Sequence, residues 1–204
     1  MELEITPLRR TDVAEIARIH RKAFPDFFLS TLGEPFLRQF YKGFIGDSTA
    51  VAVVLRDQAG KPLGASVGSI EPRGFFTRLI RRQALGFAIA SAGVAIRNPR
   101  AIARLARGAF YRGQVGNAPT PEGALWSSMC ADPAVQGMGA GRLLMTGWEN
   151  EARRLGATQA HLTTDAVGND RIVAWYTRAG WIRSETFVTR EGRKMHLYVK
   201  DLTQ

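Results

Sequence analysis

The stretch Ala124-Leu125-Trp126-Ser127-Ser128-Met129-Cys130-Ala131-Asp132-Pro133-Ala134-Val135-Gln136-Gly137-Met138-Gly139-Ala140-Gly141 decides the fold. Ala124 to Ala131 is apolar and small enough to read as a buried strand. The glycines then break it, and from about Gly139 to Arg154 Leu144, Trp148, Ala152 and Leu155 recur at helical spacing before a C-capping Gly156. A strand that runs through a glycine turn into a helix presents several main-chain N–H groups, unobstructed by side chains, at the positive end of the helix dipole. Diphosphate is the natural ligand for such a turn, because glycine permits both the sharp bend and close approach to phosphate oxygens. Gln136 adds a side-chain amide donor. The spacing is Gly-x-Gly-x-Gly with no Lys-Ser or Lys-Thr after it, so it is neither a Walker A loop nor a dinucleotide fingerprint. A glycine turn that merely joins strand to helix is the plain alternative.

Outward from this unit the pattern alternates between strand and helix. Leu3 to Pro7 reads as a first strand, and a helix opens at Thr11 or Asp12 with Val13, Ile16, Ala17 and His20 on one stripe. Leu32 to Ile45 is a second helical stretch. Ala50 to Leu55 is a buried strand ended by Asp57-Gln58-Ala59-Gly60, and Leu63 to Ile70 returns as a hairpin. Downstream of Gly156 come a strand at Ala160 to Thr164, a helix at Asp170 to Ala179, and strands through Trp181–Thr189 and Lys194–Val199 joined at Glu191-Gly192. The order predicts an α/β (α+β) domain: a mixed, mostly antiparallel sheet flanked by helices, in one unit spanning 1–204.

A second motif lies downstream: Asn169-Asp170-Arg171-Ile172-Val173-Ala174-Trp175-Tyr176-Thr177-Arg178-Ala179-Gly180-Trp181. On a helix, Asn169 and Tyr176 stand about two turns apart and can face one cleft. Together the two segments resemble the GNAT superfamily of acyl-CoA-dependent N-acyltransferases. Gln136, Gly139 and Gly141 match its glycine signature; Asn169, Trp175-Tyr176 and Gly180-Trp181 match its later pattern without a gap. Asp132-Pro133 at the strand end fits, and Ile5 to Arg18 looks like the opening strand and helix of that family. The resemblance covers most of the chain outside residues 72–121.

What the resemblance implies is a GNAT-like sheet whose strands ending at Ala131 and Thr164 splay into a cleft. Pantetheine would lie along the backbone of Met129, Cys130 and Ala131 like an added strand. The diphosphate would sit on Gln136, Gly137, Met138, Gly139, Ala140 and Gly141, with Asn169 and Tyr176 completing the coenzyme site. A main-chain N–H near Met129 or Cys130 would polarise the thioester carbonyl. The implied activity is direct transfer of an acyl group, acetyl from acetyl-CoA as the cosubstrate, to an amine in a ternary complex. That chemistry needs a proton acceptor for the amine and a donor for the departing thiolate; Tyr176 is the expected donor. The base stays open among Asp165, the nearest carboxylate, Glu122, Glu71, and a water relayed by Ser127 or Ser128. Trp175 is expected to pack the helix on the sheet, Asn169 to double as its N-cap, and Cys130 to be a small buried strand residue.

Composition narrows the remaining classes. One cysteine excludes an internal disulfide, and His20, His161 and His196 show no metal-ligand spacing, so no metal is expected. No cationic stretch leading into an apolar segment opens the chain, which makes the cytoplasm the expected compartment. The net charge is +10, and residues 72–121 hold nine arginines, no lysine and no acid, so only +1 belongs to the rest (10 − 9). This arginine-rich, helix-patterned insertion, broken near Asn98-Pro99, lies where the family has a short connection. It reads as a lid over the acceptor pocket or a homodimer surface, or as a site for an anionic acceptor or for peripheral membrane contact through 73–112. A basic nucleic-acid-binding protein and a non-catalytic CoA-binding module are the rival readings, though no nucleic-acid recognition motif is present. The expected partners are acyl-CoA and a small-molecule amine; neither the acceptor nor the acyl chain length is encoded legibly.

Overall fold

The computed structural model describes residues 2–97, 121–189 and 192–203. Its strands are β1 (Leu3–Pro7), β2 (Ala50–Asp57), β3 (Pro62–Ser69), β4 (Ala124–Ala131), β5 (Gln159–Asp165), β6 (Ile182–Val188) and β7 (Lys194–Asp201). The helices are α1 (Val13–Ala23), α2 (Phe28–Thr31), α3 (Gly33–Lys42), α4 (Phe75–Arg82), α5 (Ala84–Arg97), α6 (Ala140–Arg154) and α7 (Asp170–Arg178). Seven strands form one sheet in the order β1-β2-β3-β4-β5-β7-β6. Every neighbouring pair is antiparallel except β4 and β5, which run parallel and pair only at Ala124↔Ala160 and Leu125↔His161. This is the mixed α/β architecture that the element order predicts, with boundaries shifted by up to three residues and the short α2 not foreseen.

Helices cover both faces of the sheet, which is why β2 reads as a continuous apolar run instead of alternating. On one face Ile16, Ile19, Phe36, Phe40 and Tyr41 of α1 and α3 pack on Val54, Ala65, Val67 and Cys130. On the other, Trp148 of α6 stacks on Trp126 of β4 with ring centroids 5.7 Å apart, within a cluster that includes Val51, Val53, Leu162, Trp181 and Tyr198. The predicted stripe of α1 faces inward in full: Val13, Ile16, Ala17 and His20 are all buried. Two buried ion pairs tie elements distant in sequence. Arg56 Nη2 donates to Asp12 Oδ2 at 2.6 Å, fastening β2 to the start of α1. Glu149 of α6 accepts from Lys200 Nζ of β7 at 2.8 Å and from Trp181 Nε1 at 3.1 Å, while Lys200 Nζ also donates to the Ala179 carbonyl at 2.9 Å. The end of α7 is thereby pinned to α6 and β7.

The first part of the arginine-rich insertion belongs to the core. Phe75 of α4 is fully buried against Phe44, with centroids 5.2 Å apart, and Phe87 of α5 lies 5.1 Å from Phe36 of α3. Arg82 and Arg78 reach the buried carboxylate of Asp47 at 3.0 and 3.8 Å, and Arg78 Nη2 also donates to Thr49 Oγ1 at 3.0 Å. Burial of Asp47 opposes ionisation, but hydrogen bonds from Thr49 and the charges of Arg82 and Arg78 outweigh it, and its carboxyl stays below the usual range. Two of the arginines are therefore ion-paired to the core while their side chains stay partly exposed. The helices break at Gln83, earlier than the sequence signal at Asn98-Pro99, which lies outside the described residues.

If α4 is part of the core, Phe75→Ala lowers the unfolding free energy by about 3–5 kcal/mol in urea denaturation. A loss below about 1 kcal/mol would show that α4 is dispensable to it.

Candidate active site

The short β4–β5 pairing creates the site. Beyond Leu125, the edge of β4 that faces away from β3 meets no strand, so the stretch through Met129, Cys130 and Ala131 offers main-chain groups to the gap between β4 and β5. In a sheet interior such groups are normally paired.

The same strand delivers the chain to the glycine turn. Asp132 caps a 3-10 turn at Pro133–Val135 by accepting from Ala134 N at 2.8 Å, and it also receives Lys22 Nζ from the end of α1 at 2.8 Å. The Lys22 hydrogen bond, followed by that of Ala134, holds the Asp132 carboxyl below its ordinary range. Gln136, Gly137, Met138 and Gly139 are then exposed, and Gly139 precedes the first residue of α6. Gly137 and Gly139 adopt φ of 84° and 80°, and a Cβ on either would meet nothing within 4 Å. The space above the turn is open and the backbone needs glycine for its left-handed conformation. Met138 N donates to Val135 O, but the N–H groups of Gly137, Gly139, Ala140, Gly141 and Arg142 find no acceptor among the described residues. An anion fits this cradle. Arg142, exposed in the first turn of α6, is a residue the motif reading passed over; a cation beside a helix N-terminus is unfavourable unless an anion sits with it.

Three predicted segments converge here. A Cβ on Gly141 would lie 3.7 Å from the Trp175 ring and 3.9 Å from Met129 Cε, so α6, α7 and β4 meet at the turn. Tyr176 is partly buried, 5.1 Å from Trp175, 5.4 Å from Tyr198 and 6.0 Å from Trp126 by ring centroids. Its hydroxyl makes no hydrogen bond with any described residue. Burial, then the neighbouring Tyr198, push its pKa up to about 12, so the phenol stays protonated. Asn169 occupies the N-cap position of α7 without capping it: its Nδ2 donates to Thr164 Oγ1 at 2.8 Å and to the Asp165 carbonyl at 3.0 Å, joining α7 to the end of β5.

The candidate bases separate by environment. Asp165 is held by Arg193, whose Nη2 donates to both carboxylate oxygens at 2.7 Å. Glu122 and Glu71 are exposed, and Ser127 Oγ donates to the Val67 carbonyl at 2.9 Å. Ser128 is partly exposed and neighbours Tyr41, a residue that the motifs do not touch. Tyr41 Oη in turn stands 2.7 Å from His20 Nδ1 and 3.4 Å from Cys130 Sγ. The contacts from Cys130 through Tyr41 to His20 thus run from the splayed part of β4 into the core. Burial lowers the His20 imidazole to about 4, leaving it neutral, and His20 Nε2 has no partner among the described residues. Cys130 is a buried thiol, pushed up to about 11 by burial, which outweighs its hydrogen bonds with Tyr41 and the Ala65 backbone. No cluster of His, Cys, Asp and Glu among the described residues could hold a metal ion.

The family model for the Acetyltransferase (GNAT) family matches residues 13–181. The chain belongs to the GNAT family of acetyltransferases. These enzymes use acetyl-CoA as acyl donor, and the chain is a GNAT-type N-acetyltransferase. Solved GNAT structures share the fold at low identity. A GNAT-family protein of Desulfovibrio desulfuricans is 11% identical with a TM-score of 0.64, covering 99% of this chain and 100% of that one. YncA of Salmonella typhimurium, solved with its cofactor acetyl-CoA, is 15% identical with a TM-score of 0.62, covering 100% and 96%. The ribosomal-protein-S18-alanine N-acetyltransferase of Escherichia coli is 14% identical with a TM-score of 0.59, covering 100% and 96%. No curated protein matches the sequence.

The buried His20 gives a pH test of the network. Folded, it protonates only near pH 4, whereas unfolded it does so near 6.5. The unfolded chain therefore binds more protons between these values, so stability is full above 6.5 and falls as pH drops towards 4, by about 3 kcal/mol from this group. The difference between wild type and His20→Gln in urea denaturation should carry that slope; parallel pH profiles would contradict it.

Proposed function

We propose that the chain transfers the acetyl group of acetyl-CoA to a primary amine by direct attack in a ternary complex, acting as a single acyltransferase unit. The observation that carries this reading is the set of unpaired N–H groups of Gly137 and of Gly139 to Arg142, next to an open β4 edge and a Tyr176 hydroxyl with no partner among the described residues. The diphosphate would accept from the turn, with Gln136 and Arg142 adding donors, and pantetheine would lie along Met129 to Ala131.

Attack of the amine nitrogen on the thioester carbon forms the C–N bond and moves charge to the carbonyl oxygen, where a main-chain N–H of Met129 or Cys130 would stabilise it. Collapse breaks the C–S bond, the sulfur takes a proton, and the nitrogen loses one to leave a neutral amide. Tyr176 is the proposed donor to the departing sulfur. A phenol near 12 is a weaker acid than a thiol at about 8.5, so its part is hydrogen-bond stabilisation with the proton passed on from the nitrogen, not a lasting phenolate. The proposed proton acceptor is a water at Ser128, which is partly exposed in the splayed part of β4. Asp165 is the second candidate, and its bidentate pair with Arg193 weighs against it.

The function is tested by spectrophotometric thiol release with acyl-CoAs against a panel of amines; release dependent on added amine is expected, and none with any amine would refute the proposal. Tyr176→Phe should lower kcat by roughly 10 to 10⁴-fold with CoA affinity little changed. Ser128→Ala should cost more than about tenfold in kcat and Asp165→Asn less than about threefold; the reverse order would make Asp165 the base.

A further inference from the structure

Helix α5 is apolar on the side that needs to be and also on the side that does not. Phe87 is buried against α3, yet Leu85 and Ile89 are 75% and 69% exposed, with Ala88 and Ala92 exposed beside them at helical spacing. From Ala84 to Ile96 the sequence has no charged residue, whereas the outer face of a helix on a water-soluble surface is ordinarily polar. Charge is placed at the ends instead. Arg81 and Arg82 precede the helix, Arg97 closes it, and the whole of 72–121 contains nine arginines without one acid. Arg78 and Arg82 are engaged by Asp47, but Arg73 and Arg81 are exposed and make no ion pair with any described residue.

We propose that the outer face of α5 docks on an anionic lipid bilayer, with Leu85 and Ile89 entering the headgroup boundary and the exposed Arg73 and Arg81 meeting lipid phosphates. An interfacial helix joins these two features, an apolar face and a cationic surround without acids. No helix among the described residues is long and apolar enough to cross a membrane, so the contact is peripheral. A second copy of the chain suits the face poorly, because a symmetric dimer would bring two acid-free, arginine-rich segments together. Nucleic acid would pair with the arginines but leave Leu85 and Ile89 without a partner. Membrane docking does not depend on the acyl-transfer reading and is measurable without CoA.

The test is flotation of the full chain with vesicles of phosphatidylcholine alone or mixed with phosphatidylglycerol. Binding to the mixed vesicles only, weakened by salt, is expected. Leu85→Asp with Ile89→Asp should reduce the bound fraction by roughly tenfold or more, with circular dichroism and thiol release on a soluble amine unchanged. Arg73→Gln with Arg81→Gln should also weaken binding. The proposal is overturned if the mixed vesicles are not bound, or if the Leu85/Ile89 variant binds them like wild type. It is equally overturned if light scattering finds a dimer that the same variant dissolves, since the face would then be a self-interface.

Discussion

A main-chain N–H that has lost its carbonyl partner must find another acceptor or face water, and in this protein two sets of such groups lie side by side. One is the edge of β4 after its pairing with β5 stops at Leu125; the other is the turn and first residues of α6, at Gly137 and Gly139 to Arg142. Strand and helix are joined by one short connection, so the two sets lie close together along the chain. A ligand with amide groups in an extended arm and a diphosphate at its end would satisfy both, which is the chemistry of coenzyme A.

The rest of the molecule can be understood as what holds these groups in place. α6 is anchored by Trp148 on Trp126 and by Glu149, whose carboxylate links Lys200 of β7 to the indole of Trp181. Because Lys200 also holds the Ala179 carbonyl, the end of α7 cannot move without disturbing α6, and Tyr176 is kept near the β4 edge among Trp126, Trp175 and Tyr198. On the other face, Asp12–Arg56 and Lys22–Asp132 fasten α1 to β2 and to the start of the turn. A buried charge pair is a weak source of stability, but removing one partner is costly, so such pairs enforce a particular arrangement of elements.

Much of this was legible from local signals. The β4 boundaries, α6 and the β2–β3 hairpin follow from apolar patterning and glycine punctuation, each of which acts within a few residues. The convergence of turn, β4 and α7 followed from the family resemblance carried by Gln136, Gly139, Gly141, Asn169 and Tyr176. Contacts between residues far apart in sequence were not legible. His20 reads as one more apolar-face position of α1, and only packing of α1, α3 and β4 brings it to Tyr41 and Tyr41 to Ser128. Asp165 looks like a free carboxylate because Arg193 arrives from the β6–β7 turn, and Arg78 and Arg82 look unpaired because Asp47 lies before β2. Asn169 matches a helix cap by position, yet its amide is drawn to Thr164 and the Asp165 carbonyl instead.

In the proposed complex, backbone amides of the Gly137–Arg142 turn bind the coenzyme through its diphosphate. Calorimetric titration with CoA and with pantetheine, which lacks the diphosphate, tests it most directly. Several charge-assisted hydrogen bonds at stake predict that pantetheine binds roughly a hundredfold more weakly or worse. Equal affinity for the two, or no affinity for CoA in folded protein, would contradict the claim.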